Sequence, residues 1–126
     1  MAAAFGPGDH GSTFGGQPLA MAAVRATLAV MEAEDVNGRA QRGGSRLAAG
    51  LAALPGVVSV RGAGLLLAAQ LAQPRAKEIA AAALDAGLLV NPVRPDALRL
   101  APPLLVSEAE LDTALEILGR VMAGGT

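Results

Sequence analysis

Leu54-Pro55-Gly56-Val57-Val58-Ser59-Val60-Arg61-Gly62-Ala63-Gly64-Leu65-Leu66-Leu67-Ala68-Ala69-Gln70-Leu71 decides the fold. Leu54-Pro55-Gly56 stops a helix with a turn. Val57 to Arg61 is valine-rich and reads as a strand. Gly62-Ala63-Gly64 supplies a bend. Leu65 to Leu71 is apolar except for Gln70, the pattern of a central strand covered on at least one face. Together the two strands predict a hairpin, and the rest of the chain has to cover it.

Downstream, Pro74 opens a helix that runs to Ala86. Its inner side is Ala76, Ile79, Ala80, Ala83 and Leu84, with Lys77, Glu78 and Asp85 outside. Gly87 is a suitable stop. Leu88-Leu89-Val90 reads as a short strand. Asn91-Pro92 and Pro95-Asp96 then bracket a loop holding Arg94. In Leu98-Arg99-Leu100 the two leucines point one way and Arg99 the other, because side chains alternate along a strand. Ala101-Pro102-Pro103 is stiff and extended. Ser107-Glu108-Ala109-Glu110 is a capping box. It starts a last helix striped by Leu111, Ala114, Leu115, Leu118, Val121 and Met122.

Upstream, Pro18 to Glu34 predicts a helix with Leu19, Ala22, Ala23, Ala26, Val30 and Met31 near a 3.6 repeat. Asp35 caps a second helix or marks a bend in the first. Val36, Ala40, Gly43, Leu47, Gly50 or Leu51, and Leu54 make the next, narrow stripe, and Arg39, Arg42 and Arg46 face away as a solvated surface. The pair Gly43-Gly44 weakens this helix by roughly 1 kcal/mol per glycine against alanine. The predicted class is α+β: a small mixed or antiparallel sheet with helices mainly on one face, preceded by a long helical arm.

Composition narrows the function. The chain has 126 residues, enough for one domain. Alanine and leucine dominate its hydrophobic half, and Phe5 and Phe14 are its only aromatics. A core of such small pieces buries little area per residue, which favours packing against another surface. A net charge of −1 and the lack of stacking aromatics speak against nucleic acid. There is no cysteine, and His10 is the sole histidine, so metal ligation is disfavoured. Met1-Ala-Ala-Ala-Phe5 lacks the basic start and apolar run of a signal peptide, and Leu65 to Leu71 is too short to cross a bilayer. The expected setting is cytoplasmic, with no membrane partner.

One stretch remains, Gly8-Asp9-His10-Gly11-Ser12-Thr13-Phe14-Gly15-Gly16-Gln17-Pro18. Met1 to Gln17 carries no periodicity and reads as an entry loop. Its glycines allow positive φ and close backbone approach. Pro18 suits the first turn of a helix, where an anion is well received. Gly-Lys-Ser/Thr is absent, so it is no P-loop; no strand precedes it, so it is no dinucleotide fingerprint. On residue chemistry alone it is either an anion-receiving loop or a surface turn, with His10 a loop hydrogen-bonder. Arg99, by the same standard, reads as an ordinary exposed arginine.

The wording of several stretches goes further. Gly8-Asp9-His10-Gly11-Ser12-Thr13-Phe14-Gly15-Gly16-Gln17-Pro18-Leu19-Ala20 resembles a loop of the class-III pyridoxal-phosphate aminotransferases, nearest to their acetylornithine-using branch. Leu54 to Val58 with Arg61 to Leu66, Gly87 to Val93, Leu98-Arg99-Leu100-Ala101-Pro102-Pro103-Leu104, and the helix from Ser107 to Met122 match the family's small domain in order. Gln17 stands where the family usually has Asn, and Gln70 where it often has Glu.

The resemblance implies the C-terminal part of a fold-type-I enzyme, which moves an amino group from N-acetylornithine to 2-oxoglutarate in arginine biosynthesis, with pyridoxal 5′-phosphate as cofactor and a homodimer as its assembly. It implies that Thr13 binds the cofactor phosphate in the neighbouring subunit's active site, that Ser12 sits beside it near the substrate, and that Arg99 grips the substrate α-carboxylate. It divides the chain into residues 1–17, the phosphate loop of a large domain; 18–54, a helical connecting arm; and 55–126, the small domain. The family's Schiff-base lysine comes shortly before the opening loop, and the acid that pairs with the cofactor ring lies further upstream. The only lysine in these residues is Lys77, on the polar side of a predicted helix. The chain therefore carries no catalytic residue of its own, and alone it is expected to be inactive. Two alternatives stand beside this: a non-catalytic association module that binds through alanine-rich faces, and a relative using ornithine, succinylornithine or 4-aminobutyrate.

Overall fold

The computed structural model describes residues 6–9 and 11–124. The chain divides into two compact units, one ending at Asp35 and the other starting at Val36.

In the first unit a run of turns leads into α1 (Pro18–Ala33). Proline occupies the first helical turn, as expected. The predicted helix is present, but none of its stripe Leu19, Ala22, Ala23, Ala26, Val30 and Met31 is buried, and Met21, Val24 and Leu28 outside that stripe are exposed as well. Periodicity marks which side of a helix is apolar, not what covers it. Asp35 follows with a left-handed φ of 46° and turns the chain.

The second unit holds α2 (Val36–Ala52), β1 (Val57–Ala63), β2 (Leu66–Leu71), α3 (Ala76–Asp85), β3 (Asn91–Arg94), β4 (Ala97–Leu100) and α4 (Glu108–Ala123). The four strands form one antiparallel sheet in the order β1-β2-β4-β3. The predicted hairpin is its first half. α2 packs on β1 and β2, α3 on β3 and β4, and α4 against both helices. Leu67, Ala69, Leu71, Leu98 and Leu100 point into this helical side, where they meet Leu47, Leu51, Ile79, Leu111 and Leu118. The fold is the α+β arrangement read from the sequence, with its helices on one face.

Two readings need correction. The strand expected at Leu88-Leu89-Val90 begins instead at Asn91, and Arg94 belongs to it rather than to a loop. The cause lies at the end of α3. Gly87 takes φ +89°, its amide donates to Leu84 O at 2.9 Å, and Leu88 N donates to Ala83 O at 2.8 Å. This Schellman closure uses residues 87 and 88 to satisfy the helix end, so pairing starts later. Pro92 is tolerated because β3 is an edge strand. Second, Leu84 is exposed, leaving Ala76, Ile79 and Ala83 as the buried side of α3. Arg46 is exposed as read and also pairs across the unit. Its Nε and Nη2 each donate to Asp112 at 2.7 Å, and a Glu108 oxygen lies 3.7 Å away, which ties α2 to α4.

The glycine pair in α2 has a packing reason. A Cβ on Gly44 would fall on the carbonyl oxygen of Gly64 in the β1–β2 turn. Glycine costs helix propensity here and is what lets helix and hairpin approach each other. The capping box is present as read: Ser107 Oγ accepts from Glu110 N at 3.2 Å, and Ser107 N donates to Glu110 Oε2 at 2.8 Å. No helix among the described residues is long and apolar enough to cross a membrane.

Candidate functional site

The helices cover one face of the sheet, and strand alternation sends the remaining side chains to the other. Register places them in rows. Arg61, Ala68, Arg99 and Asn91 form one row across all four strands; Ser59, Gln70, Ala97 and Arg94 form the next. Arg99 is flanked on β4 by the buried Leu98 and Leu100, whose packing on the helical side fixes the strand and turns the guanidinium outward. Arg99 is exposed, and no described residue makes a hydrogen bond or ion pair with its side chain. It lines a shallow cleft of about 410 Å³ with Leu89, Asn91, Pro92 and Ala101. The stiff Ala101-Pro102-Pro103 segment leaves the sheet here without forming a ladder.

Ser12 and Thr13 lie in the first unit, both exposed, in the bend before α1. Ser12 Oγ accepts from Gly15 N at 3.0 Å, a local turn that closes the loop. Its proton stays available, and the Thr13 side chain has no partner among the described residues. Gly16 has φ +77°, and Gln17, at the helix N-cap position, makes no side-chain cap. The first turn of α1 carries no acidic residue. Free amides, two hydroxyls and the positive end of a 16-residue helix suit an oxyanion. They fit a phosphate group. They offer nothing for an aromatic ring or an aldehyde: Lys77 is exposed on α3 in the other unit, and the described residues include no cluster of metal-ligating side chains. His10 lies outside the described residues, so its reading as a loop hydrogen-bonder has no structural counterpart here.

The arginine on the open face was legible from parity alone. Its neighbours were not. Asn91 and Arg61 share its row only because of the register, and that register shifts between Val57 and Ser59 and again between Pro92 and Arg94. A shifted register reverses which side chains share a face. The single signal in the sequence was the alternation of Arg61 with Val60.

The chain resembles known proteins along almost its whole length. The family model for Aminotransferase class-III matches residues 1–122. An acetylornithine aminotransferase from Gloeobacter violaceus is 47% identical over 126 residues, covering 96% of this chain and 32% of that protein. A solved acetylornithine aminotransferase from Elizabethkingia anophelis superposes with a TM-score of 0.82 at 32% identity, over 98% of this chain and 34% of that one. A solved ornithine aminotransferase from Toxoplasma gondii, whose active site holds pyridoxal phosphate at partial occupancy, gives a TM-score of 0.80 at 29% identity, over 97% of this chain and 30% of that one. The chain thus spans about a third of the length of these relatives. Pyridoxal 5′-phosphate is the cofactor of the matched family. With the open-face arginine and the anion-suited loop in the same order as in the resemblance, the chain belongs to the class-III aminotransferases.

Proposed function

We propose that this chain is the ligand-holding third of an acetylornithine aminotransferase. Residues 1–17 belong to the large-domain phosphate loop, 18–54 form the connecting arm and 55–126 the small domain. The supporting observation is Arg99, exposed and unpartnered among the described residues on the open face of the sheet. A guanidinium offers two parallel N–H donors to a carboxylate, and Asn91 beside it in the same row adds an amide. In this reading Arg99 holds the α-carboxylate of N-acetylornithine, then that of 2-oxoglutarate.

Thr13 donates its hydroxyl to the cofactor phosphate in the active site of a second copy, so the working unit is a homodimer in the cytoplasm. Ser12 lies beside the substrate. Pyridoxal phosphate, when bound, supplies the electron sink that amino transfer requires. This chain contributes binding and orientation, which are large parts of the rate enhancement of such enzymes. Lys77 is not suited to covalent chemistry: it is exposed, whereas a nucleophilic lysine wants a desolvated site. The isolated chain is inactive in this reading.

The test is a chimera in which this chain replaces the matching third of the Gloeobacter violaceus enzyme. The expected result is turnover of N-acetylornithine with 2-oxoglutarate by the chimera and none by the 126-residue chain. A folded chimera that binds cofactor but prefers 4-aminobutyrate or ornithine would move the proposal to that donor. Turnover by the chain alone would refute it.

A further inference from the structure

We propose that Leu89 is a specificity-determining residue, the apolar wall against which an acid held by Arg99 lays its alkyl chain. The inference rests on the reading of Arg99 as a carboxylate grip and adds what that grip selects. It selects acids whose chain next to the held carboxylate is bare methylene, not hydroxylated or charged.

The backbone puts Leu89 in place. The closure at Gly87 and Leu88 ends α3, and the chain then enters β3. Burial alternates on the way: Leu88 is half-buried, Leu89 exposed, Val90 buried and Asn91 exposed. Leu89 therefore faces the same way as Asn91, which is paired with Arg99. On the other side of the pair Ala101, two residues beyond Arg99, is exposed as well. Arg99, Asn91, Leu89 and Ala101 line one cleft of about 410 Å³, with Pro92 as a further apolar side chain. Two residues of strand advance about 7 Å. The polar pair of Arg99 and Asn91 thus gives way to the apolar pair of Leu89 and Ala101 within the length of a small acid.

Leu89 is 83% exposed, more than any other large hydrophobic among the described residues. Val90 beside it is buried in the core, so the segment that carries Leu89 is held in place. A bare leucine next to a guanidinium without a partner among the described residues suits a ligand that has both halves, an anionic head and a methylene chain. The surface continues apolar past the cleft, where Leu89 and Ala101 also border a hollow with Leu88, Pro102 and Pro103. A hydroxyl on the ligand chain would be pressed against these side chains with no donor or acceptor to replace its water.

The experiment titrates the 126-residue chain with acetate, butyrate and 3-hydroxybutyrate at low salt, following the Arg99 Nε–Hε and leucine methyl signals by NMR. Butyrate should bind about fourfold more tightly than acetate, the scale of one fully covered methylene, and shift the Leu89 methyl signals. The hydroxylated acid should gain nothing over acetate. Leu89→Ser should remove the butyrate gain and leave acetate affinity as it is, and Leu89→Ile should keep most of the gain. Leu84→Ser, at an exposed leucine of α3, should keep all of it. In the chimera Leu89→Ser should raise KM for both substrates about fourfold with kcat moving far less, because a wall binds substrate and transition state alike. No butyrate gain, a gain that survives Leu89→Ser, or one lost in Leu84→Ser overturns the inference. So does a chimera in which Leu89→Ser lowers the melting temperature and leaves KM unchanged, which makes Leu89 a packing contact with the rest of the enzyme. Acetate binding that survives Arg99→Gln, or binding of no acid at all, overturns the carboxylate grip and the wall together. Acetate binding lost in Arg99→Gln, with no butyrate gain in the parent chain, leaves the grip standing and removes the wall.

Discussion

Arg99 and Thr13 are polar side chains with no partner among the described residues. An arginine on a protein surface commonly finds an acidic neighbour, as Arg46 does in Asp112 and Arg75 in Glu78. Arg99 has none among the described residues, and its strand neighbours are alanine and asparagine. Thr13 is open for the same reason: the loop closes through Ser12 and Gly15, leaving its hydroxyl aside. Thr13→Val in the chimera should therefore weaken pyridoxal phosphate binding by about tenfold, the scale of one hydrogen bond to a charged group. The check is a cofactor titration, with the fold confirmed by circular dichroism. Alternation along Leu98-Arg99-Leu100 made the direction of Arg99 readable in the sequence. The row it shares was unreadable, because two bulges shift the pairing and residue spacing carries no trace of them.

At the scale of elements, the hairpin, the capped last helix and the glycine stop of α3 follow from turn and cap chemistry that acts within a few residues. What escaped were features set by distant partners. Arg46 is exposed as read, but its bond to Asp112 was unreadable because that partner lies 66 residues away. The Gly43-Gly44 pair read as a weakness because Gly64 closes on it only in the folded chain. Gly44→Ala should cost about 1–3 kcal/mol, as overpacking does, and lower the midpoint in a urea melt. Ser107→Ala should cost about 1 kcal/mol by removing a helix cap.

Hydrogen-bonded acids, Asp112 and Glu110 among them, also give the second unit a pH dependence. Its hydrogen bonds to Arg46 hold the Asp112 carboxyl below its ordinary value of 3.8, and those to Ser107 hold Glu110 below 4.5. Both are depressed in the folded state, so their contribution is complete above those values and is lost as pH falls through and below them. Urea melts should show constant stability from pH 7 to about 5 and a decline below about 4. In Asp112→Asn the acid decline should become shallower.

At the scale of the whole molecule, α1 is the informative part. Sixteen residues of helix, mostly alanine, valine, leucine and methionine, bury none of their side chains. A stripe of that kind needs a covering surface, and the chain spans only about a third of its relatives. The sequence announced the stripe and could not say what lies against it. In the proposed function the electrophile and its lysine lie outside these 126 residues and the carboxylate grip inside them. The most direct test is steady-state kinetics of the chimera carrying Arg99→Lys. The account predicts a ten- to hundredfold fall in kcat/KM for both N-acetylornithine and 2-oxoglutarate, roughly the loss of one charged bidentate contact, with the cofactor still bound. An unchanged kcat/KM for both substrates in a folded, cofactor-loaded variant would contradict it.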